Sequence, residues 1–254
     1  MRAVERRMIF WVVLLSLVFG CAETSSQAKK AQTADAYYKL GIYYLEGRNY
    51  QQAITEFRKA IDINPNESDY HLGLGTAFSL QGQDREAIAA LKRALKLNPG
   101  NSEAHNNLGY LYAKAGKWEE AIAEFKAALE NPEYVRAYSA HINLAEAYLR
   151  QGKLDSSLEE YQKALEAKPG LALAHAGRGR VFWLKGQTDA AITEWEKSLQ
   201  INDRQPALHY DLAVAYSLRG EKEKAEAGFR KVIELDPQSS LAAEARKQIQ
   251  ALKQ

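Results

Sequence analysis

Small and large apolar side chains return along this chain every 34 residues, from Ala34 almost to the C-terminus. With position 1 set at Ala34, Ser68, Ser102, Tyr138, Ala172 and Pro206, position 8 is Gly41, Gly75, Gly109, Ala145, Gly179 and Ala213. Position 11 is aromatic throughout: Tyr44, Phe78, Tyr112, Tyr148, Phe182 and Tyr216. Position 20 is small again (Ala53, Ala87, Ala121, Ser157, Ala191, Ala225), and position 24 is bulky (Phe57, Leu91, Phe125, Tyr161, Trp195, Phe229). Small residues at 8 and 20 let two helices approach closely, and the large ones fill the space that remains. Gly at position 15 (Gly82, Gly116, Gly152, Gly186, Gly220) tolerates the positive φ that ends a first helix. Pro at position 32 (Pro65, Pro99, Pro169, Pro237) stops the second. The spacing therefore predicts six helix pairs, over 34–67, 68–101, 102–135, 138–171, 172–205 and 206–239. Residues 240–254 place Leu241, Ala245, Ile249 and Leu252 at helical spacing, as a capping helix would. No such unit buries its apolar face alone, so stability must come from stacking.

The pattern over residues 34–239 resembles the tetratricopeptide repeat. That resemblance implies an all-α, right-handed solenoid of six helix-turn-helix repeats closed by the capping helix. It also implies that positions 2, 5, 9, 12 and 13 of each first helix face the concave side. Positions 5, 9 and 12 are Tyr38, Ile42, Leu45; Leu72, Thr76, Ser79; Asn106, Tyr110, Ala113; Ile142, Glu146, Leu149; Ala176, Arg180, Trp183; and Tyr210, Val214, Ser217. The expected partner-binding groove is Tyr38, Ile42, Leu45, Leu72, Asn106, Tyr110, Ile142, Leu149, Arg180, Trp183, Tyr210 and Val214. Apolar and aromatic side chains standing where solvent should be mark a partner surface, one suited to an amphipathic helix or an extended peptide. The alternative is that some of them pack on neighbouring repeats. A Lys/Asn clamp for a terminal carboxylate is not expected, because Tyr38, Ile42 and Leu72 occupy the first repeats. Repeat five departs from the pattern: Arg178 replaces the Leu of position 7, and Asp203 replaces the closing Pro. Arg178 either snorkels past the core edge or binds a partner's acid.

Candidate chemistry is sparse. His71, His105, His141, His175 and His209 all fall on position 4, with Tyr37 there in the first repeat. Equivalent positions of successive repeats stand two helix packings of 8–10 Å apart, too far to share one zinc at about 2.0–2.1 Å. These histidines are expected to pack, not to bind metal. Glu119/Glu120 and Glu159/Glu160 are adjacent in sequence and diverge on a helix. Gly177-Arg178-Gly179-Arg180 falls within a helix and lacks the preceding strand a phosphate loop needs. No Ser stands in a Gly-x-Ser-x-Gly elbow. The expectation is a protein that is not an enzyme and carries no cofactor.

The N-terminus changes the picture of where the chain works. Arg2, Arg6 and Arg7 precede an apolar run from Met8 to Phe19, too short to span a bilayer comfortably but right for a signal peptide. Leu17-Val18-Phe19-Gly20-Cys21 resembles the lipobox of bacterial lipoproteins, which implies a signal peptide over 1–20 and lipidation of Cys21. An ordinary signal peptide or short signal anchor is the alternative. Two or three acyl chains, at about 0.8 kcal/mol per buried CH₂, hold a protein durably to a bilayer. By the same resemblance Ala22, in place of Asp, favours the outer membrane, facing the periplasm. Residues 21–33 are small and polar after the Cys and read as a flexible tether. The whole chain holds 34 Lys+Arg and 32 Asp+Glu; without the first 20 residues both counts fall to 31. A neutral chain has no general grip on phosphate backbones, so nucleic acid is not expected as a partner. The single Cys forbids an internal disulfide.

Lipid anchor, tether and six repeats together resemble the type IV pilus biogenesis/stability lipoproteins, the PilF/PilW pilotins. A finer similarity lies in His105-Asn106-Asn107-Leu108-Gly109 and in Asn131-Pro132-Glu133-Tyr134, which adds two residues before the fourth repeat. That family implies escort of an outer-membrane secretin and promotion of its assembly, with a secretin segment in the groove. The other reading is an envelope adaptor that recruits peptidoglycan enzymes or other periplasmic machinery.

Overall fold

In a computed structural model the described residues are 27–253, and among them stand thirteen helices and no strand. The first, α1, covers residues 27–46. There follow α2 (Tyr50–Ile63), α3 (Ser68–Leu80), α4 (Asp84–Leu97), α5 (Ser102–Lys114), α6 (Trp118–Ala128) and α7 (Ala137–Arg150). The remainder are α8 (Leu154–Ala167), α9 (Ala172–Leu184), α10 (Thr188–Ile201), α11 (Pro206–Leu218), α12 (Lys222–Leu235) and α13 (Ser240–Leu252). The fold is all-α, and the chain divides after Leu111 into two compact units. In the first, α2, α3 and α4 pack in sequence order; in the second, α6 to α13 do the same.

One steric device repeats through both units. All six side chains at position 24 are buried to 2 % exposure or less, and all six at position 20 are fully buried. The bulky residue enters a slot that a missing side chain leaves open. A Cβ on Gly41 would lie 2.6 Å from the Phe57 ring, and one on Gly73, in the next repeat, 2.7 Å from the same ring. Leu91 occupies the corresponding slot at Gly75, where a Cβ would stand 2.8 Å from its Cγ. Tyr161 lies against Gly177 and Trp195 against Gly179 in the same way, and the Trp195 indole N–H donates to the Ala176 carbonyl at 3.2 Å. One ring thus joins the two helices of its own repeat and the first helix of the next.

Turns obey equally local rules. Gly82, Gly116, Gly152, Gly186 and Gly220 all take φ between +72° and +82°. In the first repeat Arg48 occupies that position with φ +57°. A side chain there costs roughly 1–2 kcal/mol. The two-residue insertion forms a loop over 129–136, in which the Asn131 carboxamide accepts from the Glu133 amide at 3.0 Å.

Histidines link successive repeats. Nε2 of His71, His105 and His175 hydrogen-bonds the carbonyl of Pro65, Pro99 and Pro169 at 2.9, 2.8 and 3.3 Å. His209 reaches the carbonyl of Asp203 at 2.9 Å and its carboxylate at 3.0 Å. The Asp that replaces Pro therefore keeps the backbone acceptor and adds a charged one. His141 follows the inserted loop and instead places Nδ1 2.6 Å from Oε2 of Glu160.

Arg178 serves the interior of its own repeat. Its guanidinium pairs in bidentate fashion with the buried Glu194, Nε to Oε2 at 2.9 Å and Nη2 to Oε1 at 2.7 Å, and it also donates to Gln162 on α8. His175 and Lys197 complete the shell at 2.8 and 3.0 Å. Burial alone would raise the Glu194 pKa, but the hydrogen bonds from Arg178, His175 and Lys197 outweigh it and hold the carboxyl at about 2. Sequence alone left Arg178 between snorkelling and an external acid; it is satisfied internally.

One expectation changes. Residues 27–33, expected to belong to a flexible tether, are helical and continuous with α1. Ala28, Lys29, Lys30, Ala31 and Gln32 are good helix formers, and the Thr33 hydroxyl donates to the Lys29 carbonyl at 2.9 Å. With every side of this stretch exposed, it carries no apolar period to announce it. The signal-peptide and Cys21 assignments lie outside the described residues.

Gly41→Ala should destabilise the protein by about 1–3 kcal/mol through overpacking, seen in urea unfolding by circular dichroism, and Phe57→Leu in the same chain should restore part of the loss. Arg178→Leu should cost about 3 kcal/mol at neutral pH, because it leaves Glu194 buried without its main partner. Since the folded pKa of Glu194 is depressed, its contribution is complete above the ordinary glutamate range and is lost as pH falls toward about 2. The stability gap between wild type and Arg178→Leu should therefore narrow over that interval.

Candidate functional site

Exposure along the first helices follows a gradient that selects the available surface. Position 5 is half-buried at Tyr38, Leu72, Ala176 and Tyr210, and buried at Asn106 and Ile142. Position 12 is half-buried in every repeat, and position 13 is exposed in every repeat. The expectation that Asn106 and Ile142 line a partner groove is thereby corrected. Ile142 belongs to the core cluster with Ala145, Tyr161, Leu165 and Val181, while Asn106 is 6 % exposed. Position 5 turns toward the neighbouring helix pair, so its side chains spend their surface on stacking.

In the first unit, Tyr38 stacks at 5.2 Å from Tyr70 and 5.7 Å from Phe57, and burial followed by the nearby Asp69 and Asp35 raises its pKa. Ile42, Leu45 and Leu72 are half-buried, whereas Tyr110 stands exposed. Between Leu72 and Tyr110 the surface is polar: the Thr76 hydroxyl donates to the Leu72 carbonyl at 2.9 Å and accepts from Asn107 at 3.1 Å.

In the second unit Leu149 packs on the edge of the core around Ile142. The other four expected residues come together. Arg180, Trp183, Tyr210 and Val214 line a cleft of about 310 Å³, completed by Trp195 and Asp211. Trp195 backs it with a buried ring 5.7 Å from that of Trp183, and Phe229 supports Tyr210 edge-on at 5.3 Å. Arg180 reaches Glu146 at 3.8 Å, and Glu146 in turn accepts from Arg150 at 2.9 Å and from the Tyr161 hydroxyl at 3.2 Å. Partial desolvation raises the pKa of Asp211, with Arg180 opposing it. Position 13 adds Leu184, 57 % exposed, and Leu218, 71 % exposed, one helical turn beyond Arg180 and Val214. At position 2 of the same repeat as Leu184 stands Leu173, also exposed.

Reading positions 5, 9 and 12 missed Asp211, Leu184 and Leu218. The two leucines were findable at position 13; Asp211 was not, because it stands at position 6, outside the positions expected to face the concave side. A larger hollow of about 570 Å³ lies against α10, α11 and α12 beside Gly228. Its charged edges are already paired, Asp203 with Lys231 and His209, and Glu196 with the Tyr216 hydroxyl. Among the described residues no group of three His, Cys, Asp or Glu is placed to hold a metal ion. No described helix is long and apolar enough to cross a membrane.

Comparison with known proteins agrees with this architecture. One tetratricopeptide repeat family model matches residues 72–135, 133–172 and 142–206, and two others of the same description match 34–67 and 182–249. Over 68 residues the chain is 32 % identical to the type IV pilus assembly protein PilF of Pseudomonas aeruginosa strain PAO1, a match spanning 24 % of this chain and 27 % of that one. The solved structure of Pseudomonas aeruginosa PilF is similar at a TM-score of 0.80 and 20 % identity, over 87 % of this chain and 99 % of the other. PilW, described as a widely conserved type IV pilus biogenesis factor, gives 0.77 and 21 %, over 84 % and 98 %. The structural likenesses establish a common fold, and the stretch of sequence identity runs over about a quarter of PilF. By its repeat positions, its helix pairs and the models it matches, the chain belongs to the tetratricopeptide repeat family.

Proposed function

We propose that this protein is a non-catalytic, lipid-anchored scaffold of the bacterial outer membrane that promotes assembly of a type IV pilus secretin. The observation that carries the reading is the concurrence of sequence and fold on one kind of relative: 32 % identity to PilF over 68 residues, with helix pairs matching the PilF structure over nearly its full length. The sequence Leu17-Val18-Phe19-Gly20-Cys21 supports a lipid on Cys21, which would deliver the bound secretin subunit to the outer membrane. A scaffold needs apolar surface held away from solvent-driven collapse, and the exposed Leu173, Leu184 and Leu218 with the cleft beside them offer it.

Deletion of the gene should abolish SDS-resistant secretin multimers while monomer persists, and the intact gene should restore them. Unchanged multimer in the deletion strain overturns the pilus reading. Cys21→Ala should shift the protein from the membrane fraction to the soluble periplasm or leave it unprocessed; a processed form that stays in the membrane contradicts the lipid anchor.

A further inference from the structure

The cleft on the second unit pairs its charges unevenly. Arg180 faces Glu146, and Glu146 is itself held by Arg150, so the cationic group already has an acid opposite it. Asp211, on the other wall, makes no hydrogen bond or ion pair among the described residues. A further carboxylate, Glu244 of α13, lies close enough to Tyr210 to raise the pKa of its phenol, after the larger effect of burial. Glu244 is itself paired with Lys247 at 3.4 Å, so Asp211 is the carboxylate at the mouth that has no ion pair of its own. The walls beside it are apolar and aromatic: Trp183, Tyr210 and Val214, with Leu184 and Leu218 exposed one turn further along.

A ligand fitting these features must bring a large apolar side chain for the walls and a cation for Asp211. Val214 follows Asp211 by three residues on α11, so wall and carboxylate stand about one helical turn, roughly 5 Å, apart. We propose that this cleft binds a segment of another protein carrying an aromatic or large aliphatic side chain with a lysine or arginine about one turn away, the apolar group seated on Trp183 and Val214 and the cation paired with Asp211. The inference rests on the scaffold reading but not on the pilus assignment. Position 6, Asp here, is Lys39, Gly73, Asn107, Asn143 and Gly177 in the other repeats, so the feature is particular to the last pair.

The test uses the full-length protein in detergent and fluorescein-labelled twelve-residue peptides, each with one Trp in an Ala/Ser background and Lys, Gln or Glu four residues later. Fluorescence anisotropy should rank them Lys, Gln, Glu, with Lys about three- to fivefold tighter than Gln at low salt and the preference largely gone in 0.5 M NaCl, the size of a partly exposed ion pair. Asp211→Asn should remove the Lys preference while binding of the Gln peptide stays the same. Leu184→Ser with Leu218→Ser, both exposed and so harmless to folding, should weaken all three peptides alike. Tighter binding of the Glu peptide would show that Arg180 sets the specificity and would overturn the proposal, as would failure of all the peptides to bind. Because no secretin enters this assay, its failure leaves the pilus reading to the deletion strain, and failure there leaves the cleft specificity standing.

Discussion

A bulky side chain seated in a slot that a glycine or alanine keeps open is the contact on which this architecture depends. Phe57 shows its reach: the ring lies where a Cβ on Gly41 or on Gly73 would have to be, so one residue fixes the helix pair of its own repeat and the approach of the next. Fully buried small residues at position 20 hold the second helix at the same close distance. No single repeat encloses such a ring. Folding within each unit is therefore coupled from one helix pair to the next, and stability is shared between repeats and their interfaces. The histidine bonds to the carbonyls at position 32 add a polar link at the same junctions.

This division of labour determines what is left for function. Side chains at position 5 are spent largely on stacking, with Tyr210 also reaching the cleft, those at position 12 are half-covered, and of these three positions only 13 is exposed in every repeat. Where apolar residues fall at those outer positions they cost the fold little and stay free to meet a partner. Leu184 and Leu218 do so next to the aromatic cleft and Leu80 does so in the first unit, whereas Glu46, Lys114 and Arg150 occupy the same position in the other repeats. On the proposal above, the Asp211 carboxylate, which has no ion pair of its own, gives that surface a chemical preference that the apolar walls alone would lack.

The helix pairs were legible in the sequence because their cause is local and recurs: a missing side chain, a bulky one to fill it, a glycine at the turn and a proline at the end. Three features were hidden, each for a physical reason. The helix over residues 27–33 buries no face, so propensity alone sustains it and no period marks it. Arg178 reads as a charge in an apolar position until its partner is known, and Glu194 lies 16 residues away on another helix. The fates of Asn106 and Ile142 depend on how closely one helix pair covers the next, a distance that no single repeat encodes. Arg180, Trp183, Tyr210 and Val214 were recognisable one by one, but their convergence on one cleft came only with the packing of α9, α10 and α11.

The central claim is that partner binding takes place on the cleft face of the last two repeats. Site-specific photocrosslinking in living cells tests it most directly, with a benzophenone amino acid placed in turn at Leu184, Leu218 and, on the outer helix of the sixth repeat, Arg230. The account predicts adducts with the secretin subunit from positions 184 and 218, mapped to a segment with an apolar residue and a nearby lysine or arginine, and none from 230. Adducts from 230 alone, or equal adducts from all three sites, would contradict it.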